Sequence, residues 1–256
     1  MDFETIQFGV RDGIATLILD RPDKMNALNS RMRAEITHAL TSLPKEVRCV
    51  VLTGSGRAFC SGQDLTDANA ARDLEATLRD EYEPMLHAVR NCPVPVIAAV
   101  NGTAAGAGAN LALVADVVIA AESADFIQAF TRIGLVPDAG GTWAIPRAVG
   151  AARAMGMMLF ADAIPARQAA DWGLIWEALP DGEFAETVAA RARQLAQGPT
   201  SAYRAVRQAV AESFDNDLEE QLKLEAKLQG QAGRSSDFRE GVTAFLEKRK
   251  PRFTGS

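Results

Sequence analysis

Short runs of Ile, Leu, Val and Thr open the chain. TIQF and IATLIL, separated by Gly9 and the turn residues Arg11, Asp12 and Gly13, predict a β-hairpin. Past Arg21-Pro22 the spacing changes. Met32, Ile36, Ala39, Leu40 and Leu43 recur at helical intervals behind Asn29 and Ser30, either of which can cap a helix, and Pro44 ends the run. CVVLTG and VPVIAAVNG are continuous apolar runs of the kind buried on both faces of a parallel sheet, and a polar helical stretch around Leu74 to Val89 lies between them. The first two-thirds therefore alternates strand and helix. Beyond Pro137, helical segments punctuated by Gly150, Pro165, Gly173 and Gly198-Pro199 take over, with LIWEAL as one short strand candidate. An amphipathic helix carrying Phe238, Val242, Phe245 and Leu246 closes the chain and runs into Lys248, Arg249, Lys250 and Arg252. Cations there suit a helix C-terminus. No solenoid-type repeat or low-complexity tract is present.

At 256 residues, 48% of them hydrophobic and 23% charged, the chain has the makings of a globular body with a sizeable core. The boundaries expected are an α/β core over residues 1–195 and a helical region over residues 196–256. Lys and Arg number 27 against 33 Asp and Glu, a net charge of −6, which opposes a general attraction to nucleic acid or an anionic membrane. Three cysteines, Cys49, Cys60 and Cys92, are an odd number without CxxC spacing. They support neither a disulfide framework nor a zinc site and fit a reducing compartment. The N-terminal MDFETIQFGV has acids where a signal peptide needs a basic head, so a cytoplasmic protein is expected. The longest apolar stretch is interrupted by Asn101, Asn110 and Asp116 and falls short of the about 20 residues that cross a bilayer.

The two histidines, His38 and His87, have no Ser, Cys or carboxylate at a motif spacing, and no GxSxG elbow occurs. Glycine-rich backbone is what remains. Gly102, Gly106 and Gly108 do not have the dinucleotide spacing GxGxxG. A small-residue turn at a helix start can instead aim backbone N–H groups at an oxyanion, although close strand-to-helix packing also demands small residues. Asp138, before Ala-Gly-Gly-Thr, could equally cap the following helix or act as a proton carrier.

Five segments, RPDKMNALN, GSGRAFCSGQDL, NGTAAGAGANLALVAD, GLVPDAGGTWAIPRAVG and SSDFREGVTAFLEKRKPRF, together resemble the enoyl-CoA hydratase/isomerase (crotonase) superfamily over essentially the whole chain. GQDL, AAGAGANLAL, VPDAGGTW and the ending FTG are most similar to its ring 1,2-epoxyphenylacetyl-CoA isomerase branch, which belongs to phenylacetate breakdown. The resemblance implies an α/β fold of ββα turns wound as a superhelix and a helical C-terminal region that builds trimers or dimers of trimers. It also implies an acyl-CoA thioester as substrate, with no cofactor beyond that CoA.

Carried onto this chain, the resemblance makes the backbone N–H groups of Gln63 and Ala107 the oxyanion donors, so that side-chain identity there need not matter. The two glutamates of the family's hydratases are replaced by Asn110 and Phe130. Water addition is therefore disfavoured, Asp138 is left as the proton carrier, and burial among Phe126, Phe130 and Trp143 is expected to raise its pKa. Lys24, Ala27, Leu28, Ser61, Asp64 and Leu65 are the implied CoA-binding positions. Phe130 is placed beside the acyl group, and Phe245 and Lys248 are expected to reach the CoA of a neighbouring subunit. Double-bond isomerisation or hydration of an enoyl-CoA is the alternative activity. From a different class, an acyl-CoA or RNA-binding scaffold without catalysis is the other alternative.

Overall fold

The computed structural model describes residues 3–67 and 73–256. The hairpin forms as expected from β1 (Ile6–Arg11) and β2 (Ile14–Leu19), and β2 then pairs in parallel with β3 (Cys49–Gly54). β5 (Val96–Val100), β7 (Val117–Ala121) and β10 (Glu177–Leu179) extend the sheet in the order β1-β2-β3-β5-β7-β10, parallel beyond the hairpin. Every residue of β5 is buried because both sheet faces are covered, which explains its unbroken apolar sequence.

After β3, β5 and β7 the chain crosses to a second sheet through β4 (Ala58–Cys60), β6 (Thr103–Ala105) and β8 (Asp125–Ile127). The two-residue β9 (Ile164–Pro165) closes that sheet, antiparallel to β8. Three residues are too few to show a periodicity, so these strands carry no recognisable sequence pattern. They nevertheless complete the ββα turns of an α/β superhelix.

Helix α1 (Ser30–Thr41) is capped by Asn29, whose side chain accepts the Met32 N–H at 2.9 Å. α2 (Leu74–Thr77) continues through a π-helical turn, Leu78–Tyr82, into α3 (Glu83–Arg90). α4 (Ala107–Leu113) follows β6, and the 3₁₀ turn Ala129–Ile133 follows β8. α5 (Gly141–Phe160), kinked at Gly150, and α6 (Ala166–Asp171) precede β10. α7 (Asp181–Ala196) lays Val188, Ala192 and Ala196 on Cys49, Val51, Ile97, Ala99 and Ile119 of the large sheet.

The remaining helices are α8 (Thr200–Glu212), α9 (Leu218–Ala232) and α10 (Ser236–Leu246). The tail beyond α10 folds back. Asp237 accepts the N–H groups of Thr254 and Gly255, while Arg48 reaches the carbonyls of Gly198 and Phe253, so the FTG ending fastens the last helix to the core. In the basic end, Arg249 forms ion pairs with Glu240 and Glu247. Among the described residues no helix is long and apolar enough to cross a membrane.

Candidate functional site

Two loops that follow β-strands meet at Gly62. That residue has φ +93°, and a Cβ on it would lie 2.8 Å from the Ala105 carbonyl oxygen and 3.4 Å from the Ala107 nitrogen. Only glycine permits this approach. Gly106, with φ 53° and ψ −129°, turns the chain into α4 so that Ala107 becomes the first helical residue. Its N–H has no intrahelical acceptor and lies at the positive end of the helix. Among the described residues neither the Ala107 N–H nor the Gln63 N–H is given to a protein acceptor. The structure thus brings the two expected donors together across a single glycine contact.

The loop Pro22–Leu28 is zipped to the Gln63 loop. Ser61 N–H donates to Met25 O, Leu28 N–H to Gly62 O, and Asp64 N–H to Leu28 O. Asn26 sends its side-chain amide to the carbonyls of Ser55, Ala58 and Phe59, which pins the loop to β4. Lys24, Ala27, Leu28, Ser61, Asp64 and Leu65 are consequently neighbours. Lys24 and Leu65 are exposed, whereas Ala27, Leu28 and Asp64 are buried. Burial pushes the Asp64 carboxyl up, but hydrogen bonds from Thr66 and the Arg21 guanidinium outweigh it and hold the pKa below the ordinary value. Phe130 lays its ring against Gly106, 3.8 Å from where a Cβ would be, beside the Ala107 donor. Phe245 and Lys248 belong to the C-terminal helix region, where Phe245 is 82% exposed.

Asp138 sits where the chain turns through two left-handed residues, Ala139 (φ 49°) and Gly140 (φ 81°), into α5. Gly140 is the N-cap and no side chain caps that helix, so the capping role open in the sequence is not used. The Asp138 Oδ1 is buried without a hydrogen-bond partner. Burial raises its pKa from the ordinary 3.8 to about 6, against a small opposing contribution from its own backbone. Asp138 lines a cavity of about 1420 Å³ together with Tyr82, Leu86, Asn110, Leu113 and Trp143. Trp143 lines the same cavity, with the guanidinium groups of Arg90 and Arg147 against its ring. Phe126 and Phe130 are not among the cavity-lining residues, and Phe126 instead fills the main core.

Asn110 has a structural task that the sequence did not disclose. One turn along α4 from Ala107, its Nδ2 donates to the Asp138 carbonyl at 2.8 Å and its Oδ1 accepts from Gln128 Nε2 at 2.9 Å. This buried amide pair holds the Asp138 turn against the helix that carries the donor. The Gln63 side chain is also engaged: its Oε1 accepts from Arg33 at 3.1 Å and from the Tyr82 hydroxyl. The side chain at position 63 is therefore tied to α1 and to the π-helical turn, a structural engagement separate from its backbone N–H. Arg33 and Tyr82 gave no signal in the sequence, because an Arg inside an amphipathic helix and a Tyr in a polar one look like surface residues.

The Enoyl-CoA hydratase/isomerase family model matches residues 9–256. A Rhodobacter capsulatus protein named “Probable enoyl-CoA hydratase” is 62% identical over 256 residues, covering all of both chains. The 1,2-epoxyphenylacetyl-CoA isomerase of Escherichia coli is 47% identical over 259 residues, covering 98% of this chain and 99% of the relative. Among solved structures, an enoyl-CoA hydratase from Bacillus anthracis superposes with a TM-score of 0.92 at 31% identity, covering 99% of this chain and 100% of the other.

Proposed function

Because the chain belongs to the enoyl-CoA hydratase/isomerase family, whose enzymes act on acyl-CoA thioesters, we propose that it is an isomerase working through a thioester enolate. Its favoured substrate is ring 1,2-epoxyphenylacetyl-CoA, converted to the seven-membered oxepin form. One observation carries this reading. Asp138 lines the cavity as a desolvated carboxyl whose Oδ1 is unpartnered, while the positions of the two hydratase glutamates hold Asn110 and Phe130. The similarity to the E. coli isomerase supports the choice of substrate.

Asp138 takes a proton from C2, and the C–H electron pair moves into the thioester to give an enolate. The enolate oxygen lies on the N–H groups of Gln63 and Ala107, and the same carboxyl returns the proton at a conjugated carbon. Substrate and product hold the same atoms. The carbon–carbon bond shared by the epoxide and the six-membered ring breaks, its electron pair joining the ring π system to open the seven-membered oxepin, while one proton moves from C2 to a ring carbon. No net oxidation occurs, so the step calls for no cofactor beyond the CoA of the substrate. A pKa of about 6 keeps most of the Asp138 ionised at neutral pH, while its conjugate acid is strong enough to return the proton.

Hydration is the competing reading, favoured by the name of the R. capsulatus relative. A panel of epoxyphenylacetyl-CoA, a 3-enoyl-CoA and crotonyl-CoA, assayed with one purified preparation, separates the two. Rapid isomerisation is expected, with crotonyl-CoA hydrated at less than about one-hundredth of that rate, since neither hydratase glutamate position holds a carboxylate to orient water. Efficient hydration would replace the isomerase reading, and RNA retention without turnover of any thioester would replace both.

Residues 196–256 are proposed as the oligomerisation region. Exposed Val206, Val210, Phe214, Leu218 and Leu222 on and beside α8 and α9 give the region apolar surface, and Phe245 with Lys248 would complete the CoA site of the next subunit. Light scattering at micromolar concentration is expected to give a trimer or hexamer; a fully active monomer would rule it out.

A further inference from the structure

The geometry points to Arg33 and Tyr82 as positioning residues that clamp the Gln63 side chain and so hold its backbone N–H toward the substrate oxygen. This inference rests on the enolate reading above. Gln63 lies in a loop whose ladder contact is a single bridge to Leu28, so the direction of its N–H depends on what fixes the residue itself. Its side chain is fixed at both ends of the carboxamide: Nε2 donates to Asp64 O at 3.2 Å, and Oε1 accepts from both Arg33 and Tyr82.

The Arg33 guanidinium is completely buried. A cation so far from water persists only where its donors are spent on acceptors. Here they reach Leu28 O at 2.8 Å, Gln63 Oε1 at 3.1 Å, Ser30 Oγ at 3.1 Å and Glu81 at 2.7 Å, with Asp67 at 3.7 Å. The guanidinium also lies 4.7 Å from the centre of the Tyr82 ring. Tyr82 comes from the π-helical turn, an irregularity that shifts side chains off the α-helical register and recurs at functional sites. It reaches the cavity beside Asp138 while its hydroxyl donates to Gln63. One carboxamide oxygen thus ties the donor loop to α1 and to the wall of the cavity. Slack in this clamp displaces the N–H from the developing oxyanion, where small misplacements are costly in rate.

Two substitutions at position 63 isolate the clamp, because both keep the backbone N–H. Gln63→Met keeps the side-chain length but accepts nothing, whereas Gln63→Glu retains an acceptor for Arg33 and Tyr82. The probe is phenylacetyl-CoA labelled with ¹³C at the thioester carbonyl, a ligand without the epoxide that can still form the C2 enolate. Three quantities are measured: the infrared carbonyl band on binding, C2 hydrogen exchange in D₂O, and the dissociation constant. In the wild type the band moves to lower frequency and C2 exchanges. Gln63→Met is expected to lose most of the band shift and slow exchange about 10- to 50-fold, with affinity within about twofold. Gln63→Glu, which keeps the acceptor but turns an oxygen toward Asp64 O, should recover part of the band shift and exchange lost in Gln63→Met, and Tyr82→Phe should fall between Gln63→Met and the wild type. A Gln63→Met protein with the wild-type band and exchange rate overturns the clamp, and so does a Gln63→Glu protein impaired as severely as Gln63→Met. A wild type with neither band shift nor exchange overturns the enolate reading itself.

Discussion

Asp138→Asn is expected to lower turnover by at least about a hundredfold while leaving the affinity for the CoA ester almost unchanged. The amide preserves size and can neither accept nor return a proton. The same substitution should raise stability at neutral pH, for a reason the geometry supplies. The folded-state pKa of Asp138 is raised from 3.8 to about 6 by burial. Its contribution to stability is therefore fully present below about pH 3.8 and is lost as the pH rises through about 6, where the buried carboxyl must ionise. Two pKa units amount to at most about 3 kcal/mol at pH 7. Asparagine escapes that cost, so a melting temperature higher by roughly 3 to 10 °C is expected at pH 7.5. The gain should vanish near pH 4. Wild-type kcat/KM should fall about tenfold per pH unit below about pH 6, as the base becomes protonated. Steady-state kinetics and thermal melts across this range check both halves; wild-type turnover in Asp138→Asn would remove Asp138 from the reaction.

Ala107→Pro should be nearly as damaging, at about a hundredfold or more in kcat, although no side chain of catalytic value is lost. Ala107 is the first residue of α4, the position at which proline's fixed φ suits a helix and its missing N–H breaks no intrahelical bond. Gly106, with its permissive backbone, can precede it. The substitution therefore deletes one oxyanion donor while leaving the helix intact, and removal of one such donor costs about 10² to 10³ in rate. Circular dichroism and CoA-ester binding should remain close to wild type. An active Ala107→Pro protein would show that the enolate oxygen rests elsewhere.

The alternation of strand and helix, the buried central strands and the Asn29 cap were legible in the chain because each depends on neighbours close in sequence. A run such as VVL declares burial on both faces, and a side chain reaching the N–H three residues on declares a cap. The motif segments likewise marked Gln63, Ala107 and Asp138 by position. The second sheet was not legible, since its strands are two or three residues long and are held by pairing with distant partners. Nor was the engagement of the Gln63 side chain, which needs Arg33 from α1 and Tyr82 from the π-helical turn to arrive at one oxygen.

Asp138 shows the division most plainly. The sequence supplied a carboxylate in a glycine-rich turn, compatible with either a helix cap or a proton carrier. Only the tertiary structure removes the first: Gly140 takes the cap position, and Asn110, held by Gln128, anchors the Asp138 carbonyl. The side chain is thereby left desolvated beside the cavity with its Oδ1 unpartnered. Residue identity and local spacing fix which groups are available. Their protonation and direction depend on dielectric and hydrogen bonding, which come from packing between segments far apart in the chain.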